Sequence, residues 1–168
     1  MGSERRLLIL ACSQRKRPVD SGSAWELYDG NAFRVVKRAQ REGKVCPDTD
    51  VYILSARHGL ITPETVITHY DERMSRATAE SQCGRNREVL EALLTSRDYE
   101  EVFIFAGRQY LGALDAPADW VPDYAHLTIP AGGIGVKLRA LKCWVRRARA
   151  LTRSHVVEPA VNAAGSSR

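Results

Sequence analysis

Three short polar segments of this 168-residue chain each follow directly after an apolar run, at residues 12–16, 55–59 and 107–110. Together they hold a thiol, small hydroxyl groups, glycines and cations, which are the groups that bind an anion or a hydrogen-bonding heterocycle. Any one segment is also typical of an ordinary polar loop, but the recurrence after three runs favours a binding site. The predicted substrate contacts in these segments are Cys12, Ser13, Lys16, Arg57, Gly59, Gly107 and Arg108.

Two carboxylates stand directly beside tyrosines, Asp29 after Tyr28 and Asp71 after Tyr70. A carboxylate in a pocket can orient a water molecule or stabilise a positively charged sugar-like centre in a transition state. We therefore predict Asp71 and Asp29 as catalytic carboxylates, with both tyrosines as substrate contacts. The alternative is that each acid caps a helix.

The second polar segment adds Ser55 and His58 to the candidate catalytic residues. If Arg57 and His58 face one cleft, the guanidinium lowers the pKa of the imidazole, and a neutral imidazole can hydrogen-bond the edge of a base. A histidine at this position is also typical of plain surface packing.

Cys12 is the one cysteine placed where chemistry could happen, either as pocket lining or as a nucleophile activated by Lys16 or by a helix N-terminus. No base and orienting acid accompany it in the sequence, so lining is the first interpretation. The other cysteines are scattered, which argues against a zinc site or a disulfide framework. We predict no metal and no cofactor.

A glycine-bearing turn at residues 130–135 precedes a basic stretch and predicts Gly133 and Gly135 as further substrate contacts. Glycines let a ligand approach the backbone, and a helix N-terminus offers free N–H groups to a phosphate. The turn matches neither the GxxxxGK[ST] nor the GxGxxG phosphate-binding motif. A simple tight turn into a helix is the alternative.

The elements that must position these residues follow from the apolar patterns. Runs at residues 7–11, 51–54 and 102–106, with a weaker one at 126–129, predict buried strands. Helical periodicity predicts helices over 32–41, 78–96 and 133–151, the last with Ile134, Leu141 and Val145 on its apolar face. This alternation predicts an α/β fold, a single domain over 1–151 with a mostly parallel sheet flanked by helices, and a flexible tail over 152–168. The polar segments would then meet at the carboxyl ends of the strands.

Charge and composition bound the class of protein. The chain is 44% hydrophobic and has no apolar run approaching the ~20 residues of a bilayer span, which argues against a disordered or a membrane protein. Its first apolar stretch is too short for a signal peptide, so we expect a cytoplasmic protein. Net charge is +5, and residues 136–153 contain no acid. This basic stripe is typical of a polyanion binder or of a solvated helix face, and its predicted contacts to a nucleic-acid backbone are Lys137, Lys142, Arg146 and Arg147.

Five segments, taken in order, resemble a known family. They are ACSQRKRP, SAWELYDGNAF, VYILSARHGLITPETVITHYDERM, VFIFAGRQYLGAL and IPAGGIGVKLRALKCW. They are similar to small prokaryotic and phage domains of unknown function placed near the peroxide-stress YaaA proteins, and the resemblance spans residues 7–144. The sequence departs from the usual pattern at Arg57, where Lys is common, at Asp29 and Gly30, and in the Ala-Gly-Gly-Ile-Gly turn.

The resemblance implies a basic α/β protein that acts on DNA, with DNA more expected than RNA as the partner. It also implies a distant likeness to enzymes that break or exchange base–sugar bonds. The first hypothesis is therefore an enzyme that cleaves or exchanges the N-glycosidic bond of a modified or damaged base, as a DNA glycosylase does. A non-catalytic DNA-binding module of YaaA type is the second, and an enzyme for a small nucleotide or phosphosugar is the third. The oligomeric state stays open.

Overall fold

The computed structural model describes residues 5–146, and its centre is a five-stranded sheet. Its strands are β1 (Arg5–Ala11), β3 (Thr49–Ser55), β4 (Gly59–Ile61), β6 (Tyr99–Phe105) and β7 (His126–Thr128), in the order β4-β3-β1-β6-β7. All neighbours are parallel except β4, which runs antiparallel to β3. A separate antiparallel pair joins β2 (Ser21–Ser23) to β5 (Val66–Thr68). The four strands predicted from apolar runs are confirmed, with bounds shifted by one to three residues.

Within residues 5–146, six helices accompany the strands. They are α1 (Ala24–Leu27), α2 (Asn31–Arg41), α3 (Arg76–Ser96), α4 (Arg108–Gly112), α5 (Pro117–Trp120) and α6 (Ile134–Arg146). Ser75 begins α3, because its hydroxyl accepts the N–H of Thr78 at 3.1 Å. The three predicted helices are confirmed as α2, α3 and α6. The rest of the predicted last helix and the predicted tail lie outside the described residues.

The sheet is covered on both faces, as its uninterrupted apolar strands require. Side chains alternate along β1, so that Leu8 and Leu10 pack with α2 and α6, whereas Leu7 and Ile9 pack with α3, α4 and α5. Residues 5–146 thus form one α/β domain with a mostly parallel sheet between two helical layers. In the described region, every helix is too short or too polar to span a membrane.

One prediction about α6 is wrong. Leu141 and Val145 are fully buried, as expected, but Ile134 is 62% exposed. Ile134 is the first residue of α6, and it lines a pocket there instead of joining the core. The core stripe of α6 is completed by Trp144, which packs on Phe103 with ring centroids 5.2 Å apart.

The order of the strands creates a point at which the chain reverses its direction across the sheet. From β1 the chain moves to β3 on one side, and from β3 it passes through α3 to β6 on the other side of β1. The loops after β1 and β6 therefore leave towards opposite faces of the sheet and open a crevice between them. Open α/β sheets bind their ligands in this crevice.

Candidate functional site

A pocket of about 290 Å³ occupies this crevice, and we name it the switch-point pocket. It is lined by residues from the ends of β1 and β6 and from the starts of α2, α4 and α6: Ala11, Cys12, Ser13, Gly30, Asn31, Ala32, Phe33, Phe105, Ala106, Gly107, Tyr110 and Ile134. Of the predicted substrate contacts, Cys12, Ser13 and Gly107 lie in this lining. The first and third polar segments therefore meet, as expected from their places after β1 and β6.

Two long helices, α2 and α6, begin at the switch-point pocket. Gly30 caps α2, and no side chain of the described residues accepts a hydrogen bond from the first turn. The first hydrogen bond of α6 joins the N–H of Lys137 to the carbonyl of Gly133 at 3.1 Å, so the amides between these residues precede the helical ladder. Such amides carry the positive end of a helix dipole and suit an anion.

Ser13 holds the start of α2 against the end of β1. Its hydroxyl accepts the N–H of Gly30 at 3.1 Å and donates to the carbonyl of Arg15 at 2.5 Å. A Cβ at position 30 would lie 2.4 Å from the Cβ of Ser13, so only glycine permits this approach. Ser13 is thus a structural residue of the pocket wall as well as a candidate ligand contact.

The walls of the switch-point pocket are mostly apolar. Phe33, Phe105, Tyr110 and Ile134 supply large apolar surfaces, and the sequence analysis did not place any of the four in a site. Tyr110 lies within the third polar segment and Phe105 ends the preceding strand, so the positions of these two along the chain could have indicated that they line a site. Apolar and aromatic walls with a few polar groups are typical of small-molecule pockets.

Cys12 connects this pocket to the second polar segment. Its Sγ lies 3.2 Å from the Tyr110 hydroxyl and accepts the N–H of Ala56 at 3.4 Å. The thiol is therefore surrounded by protein donors at the pocket wall, in keeping with the lining role that the sequence favoured.

Behind Cys12, Tyr28, Ser55 and Tyr70 form a buried group that we name the hydroxyl cluster. The Ser55 oxygen accepts the N–H groups of Arg57 and His58 at 3.2 and 3.0 Å. The Tyr28 hydroxyl also donates to the Ser55 oxygen at 3.3 Å, and the Tyr70 hydroxyl lies 2.7 Å from Ser55 and contacts the Tyr28 hydroxyl. The cluster fixes the turn after β3.

Burial decides what the hydroxyl cluster can do chemically. Tyr28 and Ser55 are 0% exposed and Tyr70 is 4% exposed, so the predicted contacts of these residues with a base are absent from this conformation. Burial raises the pKa of Tyr28 to about 12 and raises that of Tyr70 further above its usual range. Both phenols therefore stay protonated at neutral pH and act as hydrogen-bonding scaffold.

Cations surround the Tyr70 ring. Lys16 Nζ lies 4.3 Å from the ring centroid, the Arg57 guanidinium lies 5.8 Å away, and the His58 ring meets Tyr70 edge-on at 5.5 Å. Burial, assisted by the charge of Arg57, lowers the pKa of His58, so its imidazole is neutral at pH 7. Its buried Nε2 has no hydrogen-bond partner in the region the structure describes. The predicted neutral histidine is thus supported, with burial as the larger cause.

The two candidate carboxylates occupy different environments. Asp29 is partly buried next to Gly30 and accepts two hydrogen bonds from Arg34, at 3.1 and 2.7 Å, with Arg15 3.4 Å away. The Arg34 hydrogen bonds lower the pKa of Asp29, so this carboxylate stays ionised. Asp71 is exposed and makes no hydrogen bond or ion pair with any residue between 5 and 146. Of the two, Asp29 is therefore the carboxylate next to the pocket lining, through its neighbour Gly30.

The glycines predicted to contact the substrate fall into two groups. Gly59 has φ +73°, and a Cβ there would lie 2.6 Å from Asn86 Oδ1, so the fold itself requires glycine. Gly107, Gly133 and Gly135 differ, since a Cβ at each would have no atom of the described residues within 4 Å. At these three positions the backbone is open to a ligand.

The structure describes the basic stripe only as far as Arg146. Arg146 pairs at 2.8 Å with Glu42, which directly follows α2, so its charge is used inside the domain, and Arg147 lies outside the described residues. The exposed Arg108 and Lys142 and the half-buried Lys137 have no ion pair within residues 5–146. No three His, Cys, Asp or Glu side chains of that region are grouped as metal ligands.

Comparison with known families places the chain. Residues 7–143 match a family of unknown function, DUF6884. The chain belongs to this family. No curated protein and no solved structure matches it. The matched range contains every residue that lines the switch-point pocket, so in this DUF6884 protein the pocket belongs to the family's own domain.

A larger open groove of about 700 Å³ lies at the other end of the sheet, next to the start of β3. It is bordered by Trp25, Tyr52 and Pro63, and by Asp50, which already pairs with Arg97 at 2.7 Å. None of the site residues predicted from the sequence lines it. Because ligands of this fold class bind at the carboxyl ends of the strands, the smaller switch-point pocket is the functional candidate.

Proposed function

We propose that this protein is an enzyme that cleaves or exchanges the N-glycosidic bond of a nucleotide, and that its substrate is a modified or damaged base in DNA. One observation carries the proposal: an apolar pocket lies at the point where the sheet reverses direction, and two long helices begin at its edge. This arrangement suits a molecule that joins an aromatic base to a phosphate.

The phosphate would lie at the amino ends of α2 and α6. These helices pack side by side, Gly30 gives α2 no side-chain cap, and the amides of α6 before Lys137 precede its helical ladder, so both helix ends would offer N–H groups to the phosphate. The backbone at Gly133 and Gly135 is open there, so phosphate oxygens can approach the N–H groups without meeting a side chain.

The base would lie between the apolar walls. Phe105 and Tyr110 supply aromatic surface, and Asn31 and Cys12 supply polar atoms for its edge. At about 290 Å³, the pocket is at the small end of ligand sites, which span ~300–1,000 Å³. A base in a DNA strand must therefore leave the stack in order to enter.

Asp29 supplies the charge that bond cleavage needs. As the carbon–nitrogen bond breaks, the electron pair leaves with the base and positive charge develops on the sugar. The ionised carboxylate, held in place by Arg34, stabilises that charge from its place next to the pocket lining. Water then adds to the sugar carbon and its proton goes to the departing base, while in an exchange reaction a second base takes the place of water.

The exposed cations favour DNA as the substrate. Lys137, Arg139 and Lys142 follow the pocket along α6, and Arg108 stands beside it after β6. Each cation that meets a phosphate releases counterions, so binding should weaken steeply with salt.

A free nucleotide or phosphosugar is the second candidate substrate. Its support is the ion pair between Arg146 and Glu42, which removes one of the predicted contacts to a DNA backbone. A non-catalytic DNA-binding module remains the alternative to both enzymes, and it predicts binding without any product.

The decisive experiment incubates the protein with duplex and single-stranded oligonucleotides that carry modified bases, and with the corresponding free nucleotides. Mass spectrometry then detects free base and abasic sites. Base released from DNA supports the proposal, base released only from free nucleotides supports the second candidate, and salt-sensitive binding without release supports the module.

Asp29→Asn tests the assigned role. We expect turnover to fall about a hundredfold or more while substrate affinity stays within a few-fold. Asp71→Asn is the matched control, because that carboxylate is exposed and lies away from the pocket. Arg34→Gln shows whether losing the ion pair alone damages the fold. Equal activity of the Asp29→Asn and Asp71→Asn enzymes would remove the role of Asp29.

We also infer a relationship between this family and the YaaA proteins. Its support is the block Leu54-Ser55-Ala56-Arg57-His58-Gly59, which builds the turn after β3 around the hydroxyl cluster. A YaaA structure with the same turn and the same crevice would support the relationship, and a different strand order would contradict it. A cytoplasmic location agrees with a nucleic-acid substrate and is part of the same proposal.

A further inference from the structure

We propose that Ile134 and Val136 form a wedge that enters the DNA base stack and fills the gap left by the base in the switch-point pocket. The inference rests on the proposed function, because it names how the same site gains access to a base within a duplex. It assigns a specificity role to two apolar residues that have no role in the core.

Both side chains are unusually exposed for their type. Ile134 and Val136 are each 62% exposed, whereas Leu141, Trp144 and Val145 of the same helix are buried. A singly exposed apolar residue needs no explanation, but two in the first turn of α6, one of them in the pocket lining, make the tip of this helix apolar.

Ile134 stands at the pocket rim, and Val136 stands on the same first turn of α6, outside the pocket lining. Ile134 lines the switch-point pocket and is also open to solvent, so it stands where the pocket meets the surface. Val136 is two residues further along α6, towards the opposite side of the helix, and lies beside the turn at Gly132. The two side chains thus flank the exposed tip of the helix.

The charges behind this tip point to DNA as the occupant. Lys137 stands three residues after Ile134, and Arg139 stands three residues after Val136, so each apolar side chain shares a helix face with a cation. Residues 134–146 contain no acid. Apolar side chains that meet base steps, backed by cations that meet phosphates, are the combination by which proteins enter and kink a duplex.

The wedge has a clear physical task. A base that leaves the duplex loses its stacking and leaves a gap into which it can return. Apolar side chains in that gap replace the lost stacking contacts and slow the return. A free nucleotide or an unstacked single strand has no such gap, so only reactions on duplex DNA should need the wedge.

The test uses a duplex in which 2-aminopurine lies next to the modified base, since its fluorescence rises when it is unstacked. The variants are Ile134→Ala, Val136→Ala and the double variant, and Val66→Ala is the matched control because Val66 is 76% exposed on β5. We expect the double variant to lose most of the fluorescence rise and to release base from duplexes about tenfold more slowly. Every wedge variant should lose more activity on duplexes than on single strands, and Val136→Ala, whose residue lies outside the pocket lining, should release base from single strands at the wild-type rate. Thermal unfolding should show that all variants fold.

The outcomes separate the wedge from the proposed function. Unstacking that depends on Ile134 and Val136, without base release by the wild type, keeps the wedge and removes the enzyme. If the protein releases base but all variants give the same fluorescence, the wedge is wrong and the enzyme stands. The same holds if the variants lose equal activity on duplexes and on single strands. If the protein does not bind duplex DNA, the wedge is wrong. The wedge is also wrong if Ile134 and Val136 are needed for binding to vesicles of acidic phospholipid but not for the 2-aminopurine fluorescence rise on DNA.

Discussion

The two ends of the sheet differ in whether their charged and polar groups have partners within the protein. At the amino ends of the strands, the Arg6 guanidinium donates to Glu101 at 3.3 Å and to the carbonyl of Trp144 at 2.6 Å, and Asp50 accepts from Arg97 and Tyr99 at 2.7 Å each. At the carboxyl ends, Gly30 gives α2 no side-chain cap, the amides of α6 before Lys137 precede its helical ladder, and the Arg108 cation has no ion pair between residues 5 and 146.

This difference separates stability from function. Groups that the domain satisfies itself lower its free energy, whereas groups left open are available to a ligand. Changes at the amino end should therefore shift unfolding and leave binding intact, and changes at the pocket should do the reverse. The hydroxyl cluster is the intermediate case, because it lies at the carboxyl end but is satisfied internally.

Arg6→Leu should give the largest effect on stability. Arg6 is 5% exposed and its guanidinium stacks 3.8 Å from the Trp144 ring centroid, so the change removes a buried network of contacts. We expect a loss of about 3 kcal/mol in the free energy of unfolding, measured by urea titration. The control is Arg5→Leu, whose more exposed side chain pairs with Asp50 at 3.8 Å. Similar losses in both variants would contradict the comparison.

Ser55→Ala tests the intermediate case. Without the hydroxyl, the amides of Arg57 and His58 and the Tyr70 phenol each lose a buried partner. We expect a loss of about 2 kcal/mol in urea unfolding. Ser81→Ala, which removes an exposed hydroxyl on α3, should change little. A variant of full stability that releases no base would instead make Ser55 a catalytic residue.

Gly135→Ala and Gly84→Ala form a matched pair. Both glycines lie in helices, and a Cβ at either would meet no atom of the described residues within 4 Å. Either change should raise stability by up to about 1 kcal/mol, because alanine favours the helix. Only Gly135→Ala places a methyl group near the expected phosphate, and we expect it to weaken oligonucleotide binding about tenfold, or ~1.4 kcal/mol. Equal affinities, measured by fluorescence anisotropy, would argue against phosphate binding at α6.

Glu42→Gln gives the smallest effect, and the size of its effect on stability depends on pH. Hydrogen bonding to Arg38, with further help from Lys44 and Arg146, lowers the pKa of Glu42 from 4.5 to about 2. Since the folded state holds the proton less tightly, the stabilisation is complete above pH 4.5 and is lost as the pH falls towards 2. The temperature at which the variant unfolds should therefore be lower than that of the wild type at pH 7, and the two temperatures should converge at low pH. The control is the exposed Glu64→Gln, and a constant difference across this range would contradict the assignment.

The sequence predicted the main elements because their signals are local. An apolar run without polar alternation indicates a strand covered on both faces, and this sufficed for β1, β3 and β6. It did not predict β4, because Gly59–Ile61 is short and continues the apolar pattern beyond the tight turn that reverses the chain. The pairing of Arg146 with Glu42 was equally invisible, since it depends on how α2 packs against α6.

By itself, the sequence determined that polar segments follow buried strands and meet at one edge of a mostly parallel sheet. Only the tertiary structure decided which of them share a space. It brought Cys12 and Gly107 into one pocket, buried Tyr28 and Tyr70 as scaffold, and left Asp71 in solvent. The physical reason is that local apolar patterns report burial along the chain, whereas the neighbours of a side chain follow from strand order and helix packing. Those are settled by the whole core at once.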